Sequence, residues 1–345
     1  MKNKKHLLTY LMIFLLAAGE LFAGGGNRQG TAGATELMIP VGARGIALGG
    51  ASMLGINGVD AIYWNPANLA RGEHGFEATF SHMTYLADIG VEYGAFGVNL
   101  GEFGTLGLAI KSLDIGDIDK TTIINPDGTG QTFAPQYMVL GVTYSKMLSD
   151  RVSFGVTANY VSETIDLVEN TGFSFDIGVT YKSLGSIEGL SLAIAMKNLG
   201  SDMQFDGSGL YIPADAQSTS RGQSNYKIEA ATFSLPTTLD IGLGYEYDID
   251  EMNALQVNGV FTNHNYFEDE YKVGVEYGFD NLLFLRGGYT ITPELDSDYQ
   301  VYGLTAGVGL NYDMDGMALR VDYAFRDVDL PGQSENHAIS LSVGF

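Results

Sequence analysis

From residue 75 to the end of the chain, apolar and polar residues alternate in segments of roughly ten residues, the length of a tilted membrane-spanning strand. In the clearest segment, 152–160, the even-numbered residues are apolar or aromatic and the odd-numbered residues are Ser, Gly, Thr and Asn. Segments 173–182 and 238–247 repeat the alternation. A period of two places the two sets on opposite faces of a sheet. We count about fourteen such segments, so the pattern predicts an all-β fold.

A water-soluble β-sandwich also alternates, but three features favour a membrane barrel. One face is small and polar while the other is aromatic and branched, as for a wet lumen and a lipid-facing wall. Every second connection is short, at 101–104, 149–150, 280–281 and 314–316, whereas 117–134 and 201–235 are long. The last segment ends on Phe345, which resembles the signal read by the barrel-insertion machinery. An open sheet would leave backbone groups unsatisfied in lipid. We therefore expect a closed outer-membrane β-barrel of about 14 antiparallel strands.

The start of the chain predicts export. Residues 1–23 read as a signal peptide, with Lys2, Lys4 and Lys5 before an apolar run from 7 to 18 and a small residue at Ala23. A membrane anchor is the alternative, but the run is short for a spanning helix. Residues 24–74 then form a lead-in and a periplasmic hatch, and residues 75–345 form the barrel. The expected location is the outer membrane of a Gram-negative-type bacterium, after cleavage of the signal peptide.

Composition narrows the class further. The net charge of −23 excludes a nucleic-acid-binding surface, which needs a basic footprint. The chain has no Cys, so backbone pairing and packing must hold the fold without disulfides. It has 46 Gly, 20 Tyr and 18 Phe with no long apolar run after the signal, which suits a barrel with aromatic girdles.

The stretch 42–70 precedes the alternating segments and is dense in glycine and alanine. Gly49-Gly50-Ala51 has little side-chain bulk, so another backbone can approach closely. Asn65-Pro66 is a helix-start signal, because Asn caps and proline fits the first helical position. A phosphate-binding loop is excluded, since no buried strand precedes the stretch and no Lys-Ser/Thr closes it.

The run TAGATELMIPVGARGIALGGA, followed by DAIYWNPANLA, resembles the PorV/PorQ family of outer-membrane proteins. That family is distantly related to the long-chain fatty-acid transporters (FadL), which carry a similar Asn-Pro-Ala motif in an N-terminal hatch. The resemblance implies a fourteen-stranded barrel, a luminal hatch and a role in type IX secretion. By motif position, the hatch residues are Gly42, Arg44, Gly49, Gly50, Ala51, Trp64, Asn65, Pro66 and Ala67.

Charges on the inward face are the second candidate site. Extending the alternation places five acids and five bases there: Asp176, Lys182, Asp240, Glu246, Lys272, Glu276, Arg286, Arg320, Asp322 and Arg326. Paired lumen charges would latch the hatch or line a polar path; the plainer alternative is that polar residues simply face water. We expect Arg286, Arg320 or Arg326 to contact the hatch.

Other candidate sites are weaker. The acidic clusters Asp114, Asp117 and Asp119, and Glu268, Asp269 and Glu270, would bind calcium or bridge to lipopolysaccharide, but no EF-hand spacing is present. We therefore favour the interpretation that both clusters are loop charges exposed to solvent. No His motif for a metal or for catalysis occurs, so neither an enzyme nor a cofactor is expected. The long loop 201–235 is either a lid or partner-docking surface, or disordered.

Two functions follow from these features. The first is a PorV/PorQ-like role in type IX secretion, with exported cargo proteins or subunits of the secretion and surface-attachment complexes as partners. The alternative is a FadL-like transporter of long-chain fatty acids or other hydrophobic molecules. It predicts an apolar pocket behind the hatch and a lateral opening near Gly287-Gly288 or Gly303-Gly307-Gly309. A passive porin is weaker, because a hatch should block it. The residues alone do not separate the first two.

Overall fold

Fourteen antiparallel strands form a closed barrel in the computed structural model, which describes residues 30–214, 224–295, 300–314 and 316–345. Each strand pairs with its neighbours along the chain, and the first and last pair from Glu77 with Gly344 to Thr84 with His337. The predicted all-β barrel of about fourteen strands is confirmed. The predicted signal peptide lies outside the described residues. The strands are β1 (Phe76–Thr84), β2 (Gly90–Asn99), β3 (Thr105–Asp114), β4 (Gln136–Met147), β5 (Val152–Ile165), β6 (Val168–Lys182), β7 (Leu190–Gly200), β8 (Thr238–Asp248), β9 (Asn253–His264), β10 (Glu270–Phe279), β11 (Leu283–Ile291), β12 (Tyr302–Met314), β13 (Met317–Leu330) and β14 (Gln333–Gly344).

The wall presents apolar side chains outward and small or polar side chains inward. In β5, burial alternates strictly from Ser153 to Glu163, with the odd-numbered residues buried in the lumen. Large apolar side chains on the outer surface stay exposed, among them Phe80, Val142, Phe173 and Ile339. An exposed apolar band on a closed barrel is the surface that contacts lipid. None of the described helices is long and apolar enough to cross a membrane.

The two ends of the barrel differ. We call the end with the connections 100–104, 148–151, 249–252 and 280–282 the turn end. The opposite loop end carries the long connections 115–135 and 201–237. These loops contain two-stranded ribbons rather than further wall strands: Ile118–Asp119 with Thr132–Phe133, Met203–Gln204 with Thr232–Phe233, and Tyr211–Ala214 with Ser224–Lys227. Four further 3-10 turns lie in connections, at Leu86–Asp88, Gly101–Phe103, Leu184–Ser186 and Ser208–Leu210.

Residues 30–75 fold inside the barrel, and we call this segment the hatch. It consists of α1 (Ala43–Ala47) and the 3-10 helices Thr35–Met38, Gly58–Ala61 and Pro66–Arg71. All four helices are short. Their buried apolar side chains pack against the wall as well as against one another. Contacts of this kind, rather than helix propensity, hold such short helices. The segment runs from the loop end, where the Gly33 N–H donates to the Ser234 carbonyl (3.2 Å), to the turn end.

Candidate functional site

The Asn-Pro-Ala motif fixes the hatch to the wall strand β6. The Asn65 side chain accepts the Ala67 N–H (3.1 Å), which caps the Pro66–Arg71 helix, and donates to the Thr180 hydroxyl (2.8 Å). Thr180 in turn donates to Asn68 (2.7 Å), whose amide donates to the carbonyls of Met53 (2.9 Å) and Ile56 (3.0 Å). Both Asn side chains are fully buried. A buried polar group without a partner is costly, so these bonds select one seated position for the motif.

Glycines on the inner wall make room for the hatch backbone. A Cβ at Gly274 would lie 2.6 Å from the Leu48 carbonyl oxygen, and one at Gly155 would lie 2.6 Å from the Ala67 nitrogen. From the hatch side, Gly49 has φ +63° and faces the backbone of Gly288 and Tyr289. Some glycines of the inward face are therefore needed because the hatch backbone packs directly against them, and not only because small residues line a water-filled lumen.

The other motif residues lie in or beside α1 and around the buried Trp64. Gly42 has φ +80° before α1, and its carbonyl accepts the Ile46 N–H (3.1 Å). The Gly50 N–H donates to the Gly45 carbonyl (3.1 Å). The Trp64 ring packs directly on Gly45, where a Cβ would overlap it. Buried residues complete the set: Ala51, Pro66 and Ala67.

A charge network joins the hatch to strands β10, β11 and β13. Arg44 binds both carboxylate oxygens of Glu276 (2.7 and 3.0 Å). Arg286 bridges Glu276 (2.5 Å) and Asp322 (2.6 Å). Burial alone would lower the pKa of Arg44, but the carboxylates of Glu276, Asp322 and Asp60 outweigh it and raise that pKa above its usual value. Arg44 therefore stays cationic.

A second ion pair joins the hatch to the wall nearby. Arg320 reaches the hatch residue Asp60 (3.3 Å), and the Ser342 hydroxyl donates to the same carboxylate (3.1 Å). Of the three arginines expected to contact the hatch, Arg320 makes a direct ion pair with it. Arg286 acts through Glu276, and Arg326 binds Asn336 and stacks on Tyr302, 4.0 Å from the ring centroid.

The remaining inward charges lie at two levels of the lumen. Near the loop end, Asp240 pairs with Lys197 (3.0 Å) and Lys272 with Glu270 (2.8 Å). Asp176 accepts the Asn159 amide (2.8 Å) and the Asn198 N–H (2.7 Å). Lys182 and Glu246 lie near the turn end, where Glu246 is exposed.

The hatch divides the lumen into two cavities. The outer cavity, on the loop-end side, has a volume of about 500 Å³. Its lining is mixed, with aromatic side chains, apolar side chains and charges: Tyr63, Trp64, Tyr85, Tyr93, Ile39, Ile62, Ala109, Val139, Lys111, Lys197, Asp176, Asp240, Lys272 and Arg326. The Tyr63 ring lies under two ammonium groups, 4.9 Å from Lys111 and 5.3 Å from Lys197.

The inner cavity, on the turn-end side, has a volume of about 390 Å³ and a polar lining. Its lining includes three members of the charge network, the buried Asn68 and further polar residues: Arg44, Glu276, Arg286, Asn68, Lys182, Glu246, Gln256 and Arg320. Hatch residues line both cavities, with Trp64 at the outer one and Asn68 at the inner one, so the hatch lies between them.

Several lining residues escaped the sequence analysis. Lys111 follows the inward period of β3, a signal that was available. Lys197 and Asn198 both face inward, which a strict period of two does not allow. A β-bulge opposite Asp176, with Asn198 at φ +58°, brings this about.

Four of the five glycines where a lateral opening was expected lie in regular strand pairs, and Gly303 lies outside them. Gly287 pairs with Ala306, Gly288 with Thr305, and Gly307 with Arg286. The pairing of β12 with β13 is irregular between Tyr302 and Thr305. Two of these glycines contact the hatch instead: Gly288 lies against Leu48 and Gly49, and Gly307 lies against Ala47.

The outer loops and the last residue also have defined contacts. Asp166 pairs with Lys120 (2.6 Å), and Asp269 accepts the Asn263 amide (2.8 Å). No three His, Asp or Glu residues in the described ranges are arranged to hold a metal ion. The Phe345 N–H donates to the Phe76 carbonyl (2.9 Å), which joins the last residue to the first strand.

Comparison with solved structures supports this architecture. The chain is similar to the CymD monoaromatic hydrocarbon channel, with 12% identity, a TM-score of 0.51, and coverage of 88% of this chain and 96% of that one. A Pseudomonas aeruginosa FadL homologue gives 13% identity and a TM-score of 0.52 over 88% and 98% of the two chains. The deltaS2S3 mutant of the TodX monoaromatic hydrocarbon channel gives 14% identity and a TM-score of 0.52 over 88% and 97% of the two chains.

At these identities the likeness establishes the fold. The structural neighbours are FadL-type outer-membrane barrels, and membership of the PorV/PorQ family stays a prediction. No protein-family model matches the sequence, and no curated protein sequence matches it.

Proposed function

We propose that this protein is an outer-membrane channel through which small, largely hydrophobic molecules enter the cell. The turn end faces the periplasm and the loop end faces outward, as is usual for outer-membrane barrels. The observation that carries the proposal is the outer cavity of about 500 Å³ held above a seated hatch. Its size and its aromatic lining suit a small-molecule site. Structural neighbours described as monoaromatic hydrocarbon channels and as a FadL homologue support the same class.

The cavity also constrains its occupant. Trp64 and Ile62 offer an apolar surface for a ring or a chain, while charged side chains of the lining, among them the paired Lys197 and Asp240, supply polar contacts. A molecule with an apolar body and one small polar group satisfies both kinds of lining. A fully polar solute would leave the aromatic surface without a partner.

Filling the cavity tests this function. Ala109 faces inward and lines the outer cavity, whereas Ala306 is exposed on the outer wall of β12. We expect Ala109→Phe to reduce uptake of toluene or of a long-chain fatty acid by about tenfold, since a loss of about 1.4 kcal/mol in binding has that effect. Ala306→Phe should leave uptake unchanged. Heat-dependent gel migration would verify that both barrels fold. Equal uptake by the two variants would overturn the proposal.

A role in type IX secretion is the second candidate, and one observation favours it. The ribbon formed by Tyr211–Ala214 and Ser224–Lys227 projects from the loop end with Tyr211, Ile212 and Tyr226 exposed. Exposed apolar side chains of this kind suit a protein partner. Replacing all three with Ser should abolish capture of exported proteins if secretion is the function, and should leave toluene uptake intact if transport is.

A further inference from the structure

Polar side chains from three neighbouring strands form one corner of the outer cavity. Thr238 and Asp240 are two residues apart on β8, so both face the lumen, and both line this cavity. They are 5% and 3% exposed. Thr238 pairs across the sheet with Lys197 on β7 and with His264 on β9, which line the same cavity. We call these four residues the polar corner.

Two oxygen atoms of the polar corner have no hydrogen-bond partner among the described residues. Lys197 pairs with Oδ2 of Asp240 (3.0 Å), but Oδ1 of the same carboxylate is unpartnered. The Thr238 hydroxyl is unpartnered as well. Buried polar atoms without a partner are costly and rare in folded proteins. A molecule in the outer cavity that supplies the missing bonds therefore gains binding energy from them.

The two oxygens need different partners. A carboxylate oxygen only accepts hydrogen bonds, whereas a threonine hydroxyl both donates and accepts. A hydroxyl group on the ligand meets both needs, because it donates to Asp240 and accepts from Thr238. A plain hydrocarbon meets neither need.

The charges at the polar corner favour a neutral ligand group. Asp240 already has Lys197 as its cation, and Glu270 on the neighbouring strand β10 has Lys272 (2.8 Å). An ionised ligand group would be buried here without a counter-ion of its own, which is costly. The corner therefore suits a hydroxyl better than a carboxylate or an ammonium group.

Two other cations of the cavity lining lie on distant strands. Lys111 is on β3 and Arg326 is on β13, each five strands from β8. Their hydrogen bonds go to neutral groups, the Ile39 carbonyl (3.1 Å) and the Asn336 side chain (2.8 Å). A carboxylate ligand would bind beside these cations instead, so the two places in the cavity predict different ligands.

An apolar surface of the hatch lies on the same side of the cavity as the polar corner. A Cβ at Gly50 would lie 3.3 Å from the Lys272 stem and 3.6 Å from the Trp64 ring. Lys272 donates to the Thr262 hydroxyl (3.2 Å), and Thr262 is opposite Asp240 in the sheet. The body of a ligand can therefore pack on Trp64 while its polar group reaches the corner.

We infer that the polar corner recognises a hydroxyl group, so that the barrel selects a small neutral molecule with an apolar body and one hydroxyl, such as an alkylphenol. The corresponding hydrocarbon and the corresponding carboxylate bind less tightly. This inference rests on the proposed channel function and adds the class of substrate to it.

Three ligands with the same methylphenyl body test the preference: toluene, 4-methylphenol and 4-methylbenzoate. The intact barrel in lipid nanodiscs is titrated by calorimetry at about pH 7, and empty nanodiscs give the background for partitioning into lipid. At this pH a phenol, with a pKa of about 10, is neutral, whereas a carboxylate is ionised. We expect 4-methylphenol to bind about tenfold more tightly than toluene, and 4-methylbenzoate to bind no more tightly than toluene.

Two threonine variants of equal size identify the group responsible. Thr238→Val removes the unpartnered hydroxyl and should weaken binding of 4-methylphenol about fivefold while leaving binding of toluene unchanged. Thr143→Val is the matched control, because Thr143 is equally buried but lies outside the cavity lining, and its hydroxyl bonds to Thr157 (2.8 Å). It should bind all three ligands as the parent does. Heat-dependent gel migration verifies that both variants fold.

The outcomes separate the hydroxyl site from the channel function. Equal binding of toluene and 4-methylphenol by the parent, or an unchanged preference in a folded Thr238→Val, overturns the hydroxyl site and leaves the channel function in place. Tightest binding of 4-methylbenzoate overturns it in favour of an anion site. If none of the three ligands binds, the channel function fails, and the hydroxyl site fails with it. If Thr238→Val does not fold, the preference of the parent decides.

Discussion

At the scale of single residues, the hatch is seated by hydrogen bonds that satisfy buried polar atoms on both partners. Asn68 holds two hatch carbonyls and one wall hydroxyl, so it closes the hatch loop and ties it to β6 at the same time. Asn65 donates to the same Thr180 hydroxyl and to the Met53 carbonyl of the hatch. Removing one member leaves the others buried without partners, a cost of about 1–3 kcal/mol for each group.

We expect Asn68→Ala to loosen the hatch without unfolding the barrel. A loss of about 1–3 kcal/mol corresponds to amide hydrogen exchange that is about 5- to 150-fold faster across residues 42–72, measured by mass spectrometry. Asn336→Ala is the matched control, because Asn336 is equally buried but binds Arg326 on the wall. Unchanged exchange in Asn68→Ala would contradict the role assigned to this side chain.

The two asparagines differ in how visible they are in the sequence. Asn65 stands before a proline, which is a recognisable cap signal. Asn68 has no such neighbour, and its role depends on Thr180, 112 residues away. Contacts at that separation depend on strand register, which a single sequence does not supply. The sequence does not predict the ion-pair partner of Arg320 for the same reason, since Asp60 lies 260 residues before it.

At the scale of elements, the strands and the hatch fit together through glycines. The period of two is readable because one face must be apolar toward lipid, and this makes the strand series predictable. The bulge at Asn198 breaks the period of two, so that Lys197 and Asn198 both face inward. The alternation of apolar and polar residues does not predict this bulge. The glycines of the inward face look alike in sequence, but only some of them touch the hatch.

Alanine substitutions should separate the two kinds of glycine. Gly274→Ala would place a Cβ 2.6 Å from the Leu48 carbonyl oxygen, whereas Gly259→Ala on the neighbouring strand meets nothing within 4 Å. We expect Gly274→Ala to weaken hatch docking by about 1–3 kcal/mol, as overpacking does. Protease cleavage of the hatch in outer-membrane vesicles would then be faster than in Gly259→Ala. Similar cleavage rates in the two variants would show that the wall yields at Gly274.

At the scale of the whole molecule, the hatch and its charge network separate the outer cavity from the inner one. The network contains Arg44 from the hatch and Glu276, Arg286 and Asp322 from the wall, and the separate pair of the hatch residue Asp60 with Arg320 lies nearby. Arg286 and Asp322 are almost completely buried, so solvent screens them weakly. Breaking a buried pair leaves an uncompensated charge and costs about 3–5 kcal/mol.

Three arginine variants should therefore differ in leakage. Arg286→Ala removes the cation that pairs with both Glu276 and Asp322. Of the three variants, it should give the largest increase in entry of a small antibiotic. Arg320→Ala removes a partly exposed pair and should have a smaller effect. Arg326→Ala, which contacts the wall residues Asn336 and Tyr302, should match the parent. The same leakage in all three variants would mean that the network does not hold the hatch.

The most direct test of the account is to identify what the barrel carries in its own membrane. The protein would be isolated from detergent-solubilised outer membranes, and its bound small molecules and proteins would be analysed in the same sample by mass spectrometry. We expect an apolar small molecule bound in near-equal amount to the parent protein and absent from Ala109→Phe, without co-isolated exported proteins. Exported proteins sharing a C-terminal domain, with no enriched small molecule, would contradict the channel function and support the secretion role.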